Sequence, residues 1–169
     1  MIKAHTYFEI LQGKILHMDS LKKSLSIWSL YSKKIVFTNG VFDLLHFGHI
    51  QYLSKAKDLG DKLIVGLNSD DSARRLNKGV NRPIQDEQSR ATILAALHVV
   101  DAVIVFNEDT PQQLIEAIQP DVLVKGGDYK DLTQIAGYEV VSKKGGIITT
   151  IEFADGFSTS AIEKKIKES

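Results

Sequence analysis

From Lys34 onward, short unbroken apolar runs alternate with stretches of helical periodicity, and this alternation constrains the fold more than any single residue does. Ile35 to Phe37, Leu63 to Leu67, Val103 to Phe106, Val122 to Val124 and Ile147 to Ile151 are expected as strands. Helices are expected near residues 49–59, 87–97, 111–119 and 160–167. Strands that are apolar at successive positions, not at every second one, are buried on both faces, which requires a parallel sheet with helices above and below it. Right-handed crossovers then give an α/β fold, a doubly wound, Rossmann-like five-stranded parallel sheet flanked by helices. In such sheets ligands sit beyond the carboxyl ends of the strands, where the strand order reverses.

Residues 1–33 precede this alternation and are expected to form an N-terminal helical appendage. Asp19 or Ser20 is placed to cap a helix that carries Leu21, Leu25 and Trp28 at helical spacing. Residues 34–169 are expected to form one domain, a length sufficient to bury a core without staples.

Lys+Arg and Asp+Glu both number 21, so no net field holds the chain on a nucleic acid or an anionic membrane. Any anion site has to be built locally. No apolar stretch approaches the roughly 20 residues that span a bilayer, and the N-terminus lacks a secretory core, so a cytoplasmic location is expected. With no cysteine there is neither a thiol nucleophile nor a thiolate zinc site.

The first expected strand runs into Thr38-Asn39-Gly40, and His46-Phe47-Gly48-His49 opens the helix that follows. Two imidazoles around a glycine at a strand-to-helix handover suit the gripping of a phosphate chain. Histidine supplies donors to oxygens that gain charge, Gly48 admits backbone amides close to an anion, and the helix start adds unpaired N–H groups and the positive end of its dipole. His49 shares a helical face with Tyr52, Leu53 and Ala56, which turns it toward the sheet. Two bland alternatives stand beside this: a chance H-x-x-H string, or histidines that only satisfy nearby backbone groups. A zinc site from Asp43, His46 and His49 ranks below phosphate binding, because the other histidines show no reason to converge.

Thr38-Asn39-Gly40-Val41-Phe42-Asp43 followed by His46-Phe47-Gly48-His49 resembles the signature of the cytidylyltransferase-like nucleotidyltransferase superfamily. Asn68-Ser69-Asp70, Arg82-Pro83, Glu87-Gln88-x-Arg90, Glu108-Asp109-Thr110-Pro111, Val124-Lys125-Gly126-Gly127-Asp128-Tyr129 and Asp155-Gly156-x-Ser158-Thr159 extend the likeness. They resemble the heptose 1-phosphate adenylyltransferase domain of ADP-heptose synthase, over about residues 33–167. The H-x-G-H core marks only the superfamily, whereas K-G-G-D-Y and E-D-T-P favour the heptose branch.

That resemblance implies ATP plus heptose 1-phosphate giving ADP-heptose and pyrophosphate, with Mg2+ carried on the ATP phosphates and no metal held by the protein alone. His46 and His49 are implied as the catalytic pair around the triphosphate. Thr38, Asn39, Gly40, Phe42 and Gly48 are expected on the nucleotide. No protein nucleophile is needed, since the sugar phosphate oxygen itself attacks the α-phosphorus.

Other residues join on their own patterns. Arg90 falls on an apolar helical stripe with Ile93, Leu94 and Leu97, where a charge needs a partner; phosphate contact is preferred to snorkelling of its stem. Ser158, Thr159 and Ser160 open the last helix, and the superfamily resemblance implies that such a hydroxyl-rich turn holds triphosphate oxygens; on its own pattern Ser160-x-x-Glu163 is a capping box, which leaves Ser158 and Thr159 as the better ligands. Asp43, Lys125 and Asp128 are expected to face the acceptor. The plainer roles for them are a turn cap for Asp43 and a solvated strand end for Lys125. The basic segment 74–83 is expected as a phosphate lid through Lys78 or Arg82, against the plainer reading of solvated charge. Phe153 stands where many cytidylyltransferases of the superfamily carry arginine, which weakens a CTP-dependent reading. Two alternatives are carried forward: a cytidylyltransferase for glycerol 3-phosphate, and a non-catalytic nucleotide-binding protein. A homo-oligomer is compatible with the sequence, and a separate kinase would have to supply the sugar phosphate.

Overall fold

A computed structural model of the chain describes residues 5–76, 82–127, 129–154 and 156–168. After helices α1 (Tyr7–Gln12) and α2 (Met18–Leu30), strands and helices alternate: β1 (Ile35–Gly40), α3 (Phe47–Lys57), β2 (Lys62–Asn68), α4 (Asp70–Arg75), α5 (Glu87–Ala96), β3 (Ala102–Phe106), α6 (Gln112–Ile118), β4 (Val122–Gly126), α7 (Tyr138–Lys143), β5 (Ile147–Ile151) and α8 (Thr159–Lys167). A single 3-10 turn, Leu132–Gln134, lies between β4 and α7. The strands form one five-stranded sheet in the order β3-β2-β1-β4-β5, and every pairing is parallel. The expected doubly wound sheet is thus the one observed.

Alternation along β1 explains why both faces are covered. Ile35 and Phe37 point to one side, where they join Ile64, Leu123, Leu21 of α2, Ile115 of α6 and Val141 of α7. Val36 points to the other and joins Leu63, Val65, Leu53 and Ala56 of α3, and Leu94 of α5. Each such fully buried aliphatic side chain stabilises the fold by about 1.5–3 kcal/mol relative to exposure. β5 departs from the pattern. An edge strand packs on one neighbour only, and its residues are half-buried or exposed, Thr149 and Thr150 among them.

The helical segment ahead of β1 lies directly on the sheet and on α5. Leu21 is fully buried, Leu16 N–H donates to Val103 O at 2.8 Å, and Lys14 Nζ donates to the carbonyl oxygens of Leu97 and Val100. Helices α4 and α7 have no counterpart among the expected elements, because six residues are too few to display a period.

β1 is central, and the chain leaves it toward β2 and β3 on one side while β4 and β5 return on the other. The loops after β1 and β4 therefore part over the carboxyl edge of the sheet and leave a crevice there. Asn39 and Gly40 end one strand, Lys125 and Gly126 the other.

Candidate active site

A cleft of about 760 Å³ opens at that edge, within the range usual for small-ligand sites. Its walls are the end of β1, the turn through Phe42 and Asp43, His49 and Tyr52 of α3, Lys125 and Gly126 of β4, Phe153, and Thr159 and Ser160 of α8.

His46 and His49 stack, with ring centroids 3.9 Å apart and planes 25° from parallel. His46 is the N-cap residue of α3 in extended conformation and makes no side-chain cap, so no side chain competes with an anion for the opening amides of the helix. Its Nδ1 is buried without a hydrogen-bond partner, and desolvation holds its pKa below the ordinary histidine value. His49 lines the cleft in front of it, its ring tilted on Phe42 at 5.3 Å. Phe42 takes a left-handed backbone, φ 47°, and its ring covers Gly40. Gly48 is closely packed: a Cβ there would lie 3.1 Å from the His46 ring and 3.3 Å from Phe157 Cβ, so the ring would have to shift slightly.

Across the cleft, Lys125 Nζ donates to Asn39 Oδ1, so the two strand ends meet through a hydrogen bond. Burial pushes the ammonium down to about 8. Burial disfavours the charged form of this lysine, and an anion in the cleft would stabilise it. The Phe153 ring lies against Gly126, where a Cβ would come within 2.1 Å of Cζ, and meets Tyr52 at 5.9 Å.

Several expected ligands are placed elsewhere by their partners. Thr38 is fully buried and shares a 2.6 Å hydrogen bond with Tyr52, whose hydroxyl also reaches Val124 O; Tyr52 lines the cleft and Thr38 does not. Asp43, expected to face the acceptor, does border the cleft, but it is 4% exposed and its carboxylate accepts from the N–H groups of Ile84 and Gln85, which anchors the 82–85 loop. Arg90, expected on phosphate, is 1% exposed and donates to the carbonyl oxygens of Gln85, Val41 and Asn68 and to Asp70. That guanidinium joins three chain segments behind the cleft and lines none of it. Arg82 does line the cleft, but it is ion-paired to Glu163 and approaches Asp43.

The expected capping box at Ser160 does not form, because Ser158 accepts from Ala161 N–H and caps α8 while Glu163 turns to Arg82. Thr159 and Ser160 are left facing the cleft. Lys78 and Asp128 lie outside the described residues. Sequence reasoning did not single out Tyr52 and Phe153 as cleft walls. Tyr52 shares a helical face with His49, and that was the available signal; nothing in the sequence marked Phe153 except the missing arginine.

The profile of the cytidylyltransferase-like family matches residues 37–165. The chain belongs to that family. It is 54% identical over 158 residues to the bifunctional protein HldE of Wolinella succinogenes, covering 94% of this chain and 32% of that protein. It is 57% identical over 151 residues to HldE of Campylobacter jejuni serotype O:2, covering 89% and 32%. The chain thus spans about a third of the length of these relatives. Among solved structures, a lipopolysaccharide core biosynthesis protein from Thermoplasma volcanium matches at 34% identity with a TM-score of 0.58, over 72% of this chain and 97% of that one. Pantoate-β-alanine ligase from Francisella tularensis matches at 18% identity and a TM-score of 0.59, over 92% and 78%, a likeness of fold alone. Family and relatives together support a nucleotidyltransferase. Among the described residues no helix is long and apolar enough to cross a membrane.

Proposed function

We propose that the domain transfers AMP from ATP to a sugar 1-phosphate, with D-glycero-D-manno-heptose 1-phosphate as acceptor, giving ADP-heptose and pyrophosphate. The observation that carries this reading is the stacked His46–His49 pair at an uncapped helix start, facing the desolvated Lys125 across one cleft. The heptose acceptor rests on the K-G-G-D-Y and E-D-T-P strings together with more than 50% identity to HldE proteins.

In this reaction an oxygen of the sugar phosphate attacks the α-phosphorus in line, the new O–P bond forms as the bond from the α-phosphorus to the α,β-bridging oxygen breaks, and pyrophosphate departs with that oxygen. Catalysis is then positioning and charge stabilisation, without a covalent enzyme intermediate. His49 meets the triphosphate directly, and His46 backs it within the stack. Desolvation disfavours the charged form of His46, and anionic oxygens nearby would favour it. The opening amides of α3 hold phosphate oxygens, joined by Thr159 and Ser160 of α8. Lys125 draws the reacting phosphates toward the end of β4, with Asn39 fixing its ammonium.

Asp43 accepts from the backbone amides of Ile84 and Gln85 and approaches Arg82, so its carboxylate is engaged with the 82–85 loop. Mg2+, carried by the triphosphate, would supply charge neutralisation there, while His49, Thr159, Ser160 and Lys125 hold the phosphates. The test is pyrophosphate release from ATP and CTP, each with heptose 1-phosphate and glycerol 3-phosphate. Release only with ATP and the heptose phosphate is expected; release only with CTP and glycerol 3-phosphate overturns the reading.

A further inference from the structure

One ionic cluster in the cleft wall has no role in phosphate transfer as described above. Arg82 Nε donates to Glu163 Oε1 at 2.9 Å and Nη2 lies 2.8 Å from Oε2, a side-on bidentate pair between the 82–85 loop and α8. Nη1 stands 3.4 Å from Asp43 Oδ2, a long contact to a carboxylate already engaged by two backbone amides. Side-on pairing consumes Nε–H and one N–H of Nη2. The end-on edge, Nη1 and Nη2, retains an N–H on each nitrogen, the geometry that grips phosphate with two parallel hydrogen bonds.

Glu163 is placed for this by the start of α8. Because Ser158 takes the cap, Glu163 is released from the helix start and lies one turn beyond Ser160 on the same face, and Ser160 lines the cleft. The 82–85 loop is held independently, by Asp43 on the N–H groups of Ile84 and Gln85 and by Arg90 on Gln85 O. Only the long side chain of Arg82 would otherwise be left to be ordered by the ligand.

We propose that Glu163 is a positioning residue: by clamping the Nε edge of Arg82 it turns the end-on edge toward the pyrophosphate portion of the donor nucleotide, and it draws Thr159 and Ser160 onto the same phosphates. The inference rests on the reading of the cleft as a triphosphate site. The opposite role, a carboxylate that competes with phosphate for Arg82, predicts the opposite sign on its removal.

The experiment is titration calorimetry of the full chain with inorganic pyrophosphate, for wild type, Glu163→Gln, Arg82→Ala and the double variant, with thermal melting to confirm that each is folded. Glu163→Gln and Arg82→Ala are each expected to weaken binding on the order of tenfold, and the double variant to be no weaker than Arg82→Ala. Glu163→Asp keeps the charge but shortens the reach, and is expected to behave like Glu163→Gln. In turnover with ATP the loss is expected in KM with kcat nearly unchanged. Binding by Glu163→Gln equal to or tighter than wild type overturns the proposal, as does a further loss on adding Glu163→Gln to Arg82→Ala. Wild-type affinity in Arg82→Ala refutes the phosphate contact of Arg82 as well, and absence of pyrophosphate binding by the wild type removes the triphosphate reading on which both stand.

Discussion

Lys125 offers a test in which the magnitude comes from the site itself. Its ammonium is pushed down to about 8 by burial at the end of β4, so the free enzyme loses that charge within an accessible pH range. If the charge meets a phosphate, kcat/KM, which reports the free enzyme, falls by about tenfold between pH 7 and pH 9 and continues to fall tenfold per unit. Lys125→Arg keeps a cation that does not titrate there, so its alkaline limb disappears even if its absolute rate is lower. The assay is pyrophosphate release at subsaturating ATP from pH 6.5 to 9.5, at constant ionic strength. An alkaline limb that persists unchanged in Lys125→Arg refutes the assignment, as does a wild-type profile flat to pH 9.5. The same burial has a consequence for folding. The unfolded lysine titrates near 10.5 and the folded one near 8, so between these values the unfolded state binds more protons and stability rises with pH. At neutral pH the shift corresponds to about 3 kcal/mol against the charged form. Lys125→Met should therefore melt above wild type at pH 7 while losing activity.

Gly48→Ala would set a methyl group 3.1 Å from the His46 ring, and the displaced imidazole is expected to cost about 10- to 100-fold in kcat with little change in melting temperature; steady-state kinetics beside thermal melting would detect this. Arg90→Met strands the carbonyl oxygens of Val41, Asn68 and Gln85 and the carboxylate of Asp70, and is expected to lower unfolding free energy by about 3–5 kcal/mol in urea denaturation, where a phosphate-binding role alone would leave stability unchanged.

The layers of the fold were legible because each inner strand carries three or more consecutive apolar residues, Ile35 to Phe37, Leu63 to Val65 and Val122 to Val124, a pattern that two-sided burial explains. β5 was found by the same rule although it is an edge strand, since Ile147, Ile148 and Ile151 outweigh the threonines between them. The histidine turn was legible as a local string. What escaped was anything decided by partners distant in sequence. Arg90 was rightly marked as a charge in need of a partner, but nothing local announces that the loops after β1 and β2 direct carbonyl oxygens at it. Thr38 and Asp43 belong to the motif by spacing, yet Tyr52 and the 84–85 amides claim them. At α8 two serines satisfied the rule for a cap. Ser158 takes the cap, and Glu163 pairs instead with Arg82, a residue 81 positions earlier that no local pattern points to.

The most direct test of the account is pyrophosphate release from ATP and D-glycero-D-manno-heptose 1-phosphate by wild type, His46→Ala and His49→Ala. The account predicts turnover by the wild type, with product identified as ADP-heptose by mass spectrometry, and a loss of about 10²- to 10⁴-fold in each folded variant. Turnover that survives both substitutions intact would contradict it, and so would a wild-type enzyme that releases no pyrophosphate with any sugar 1-phosphate.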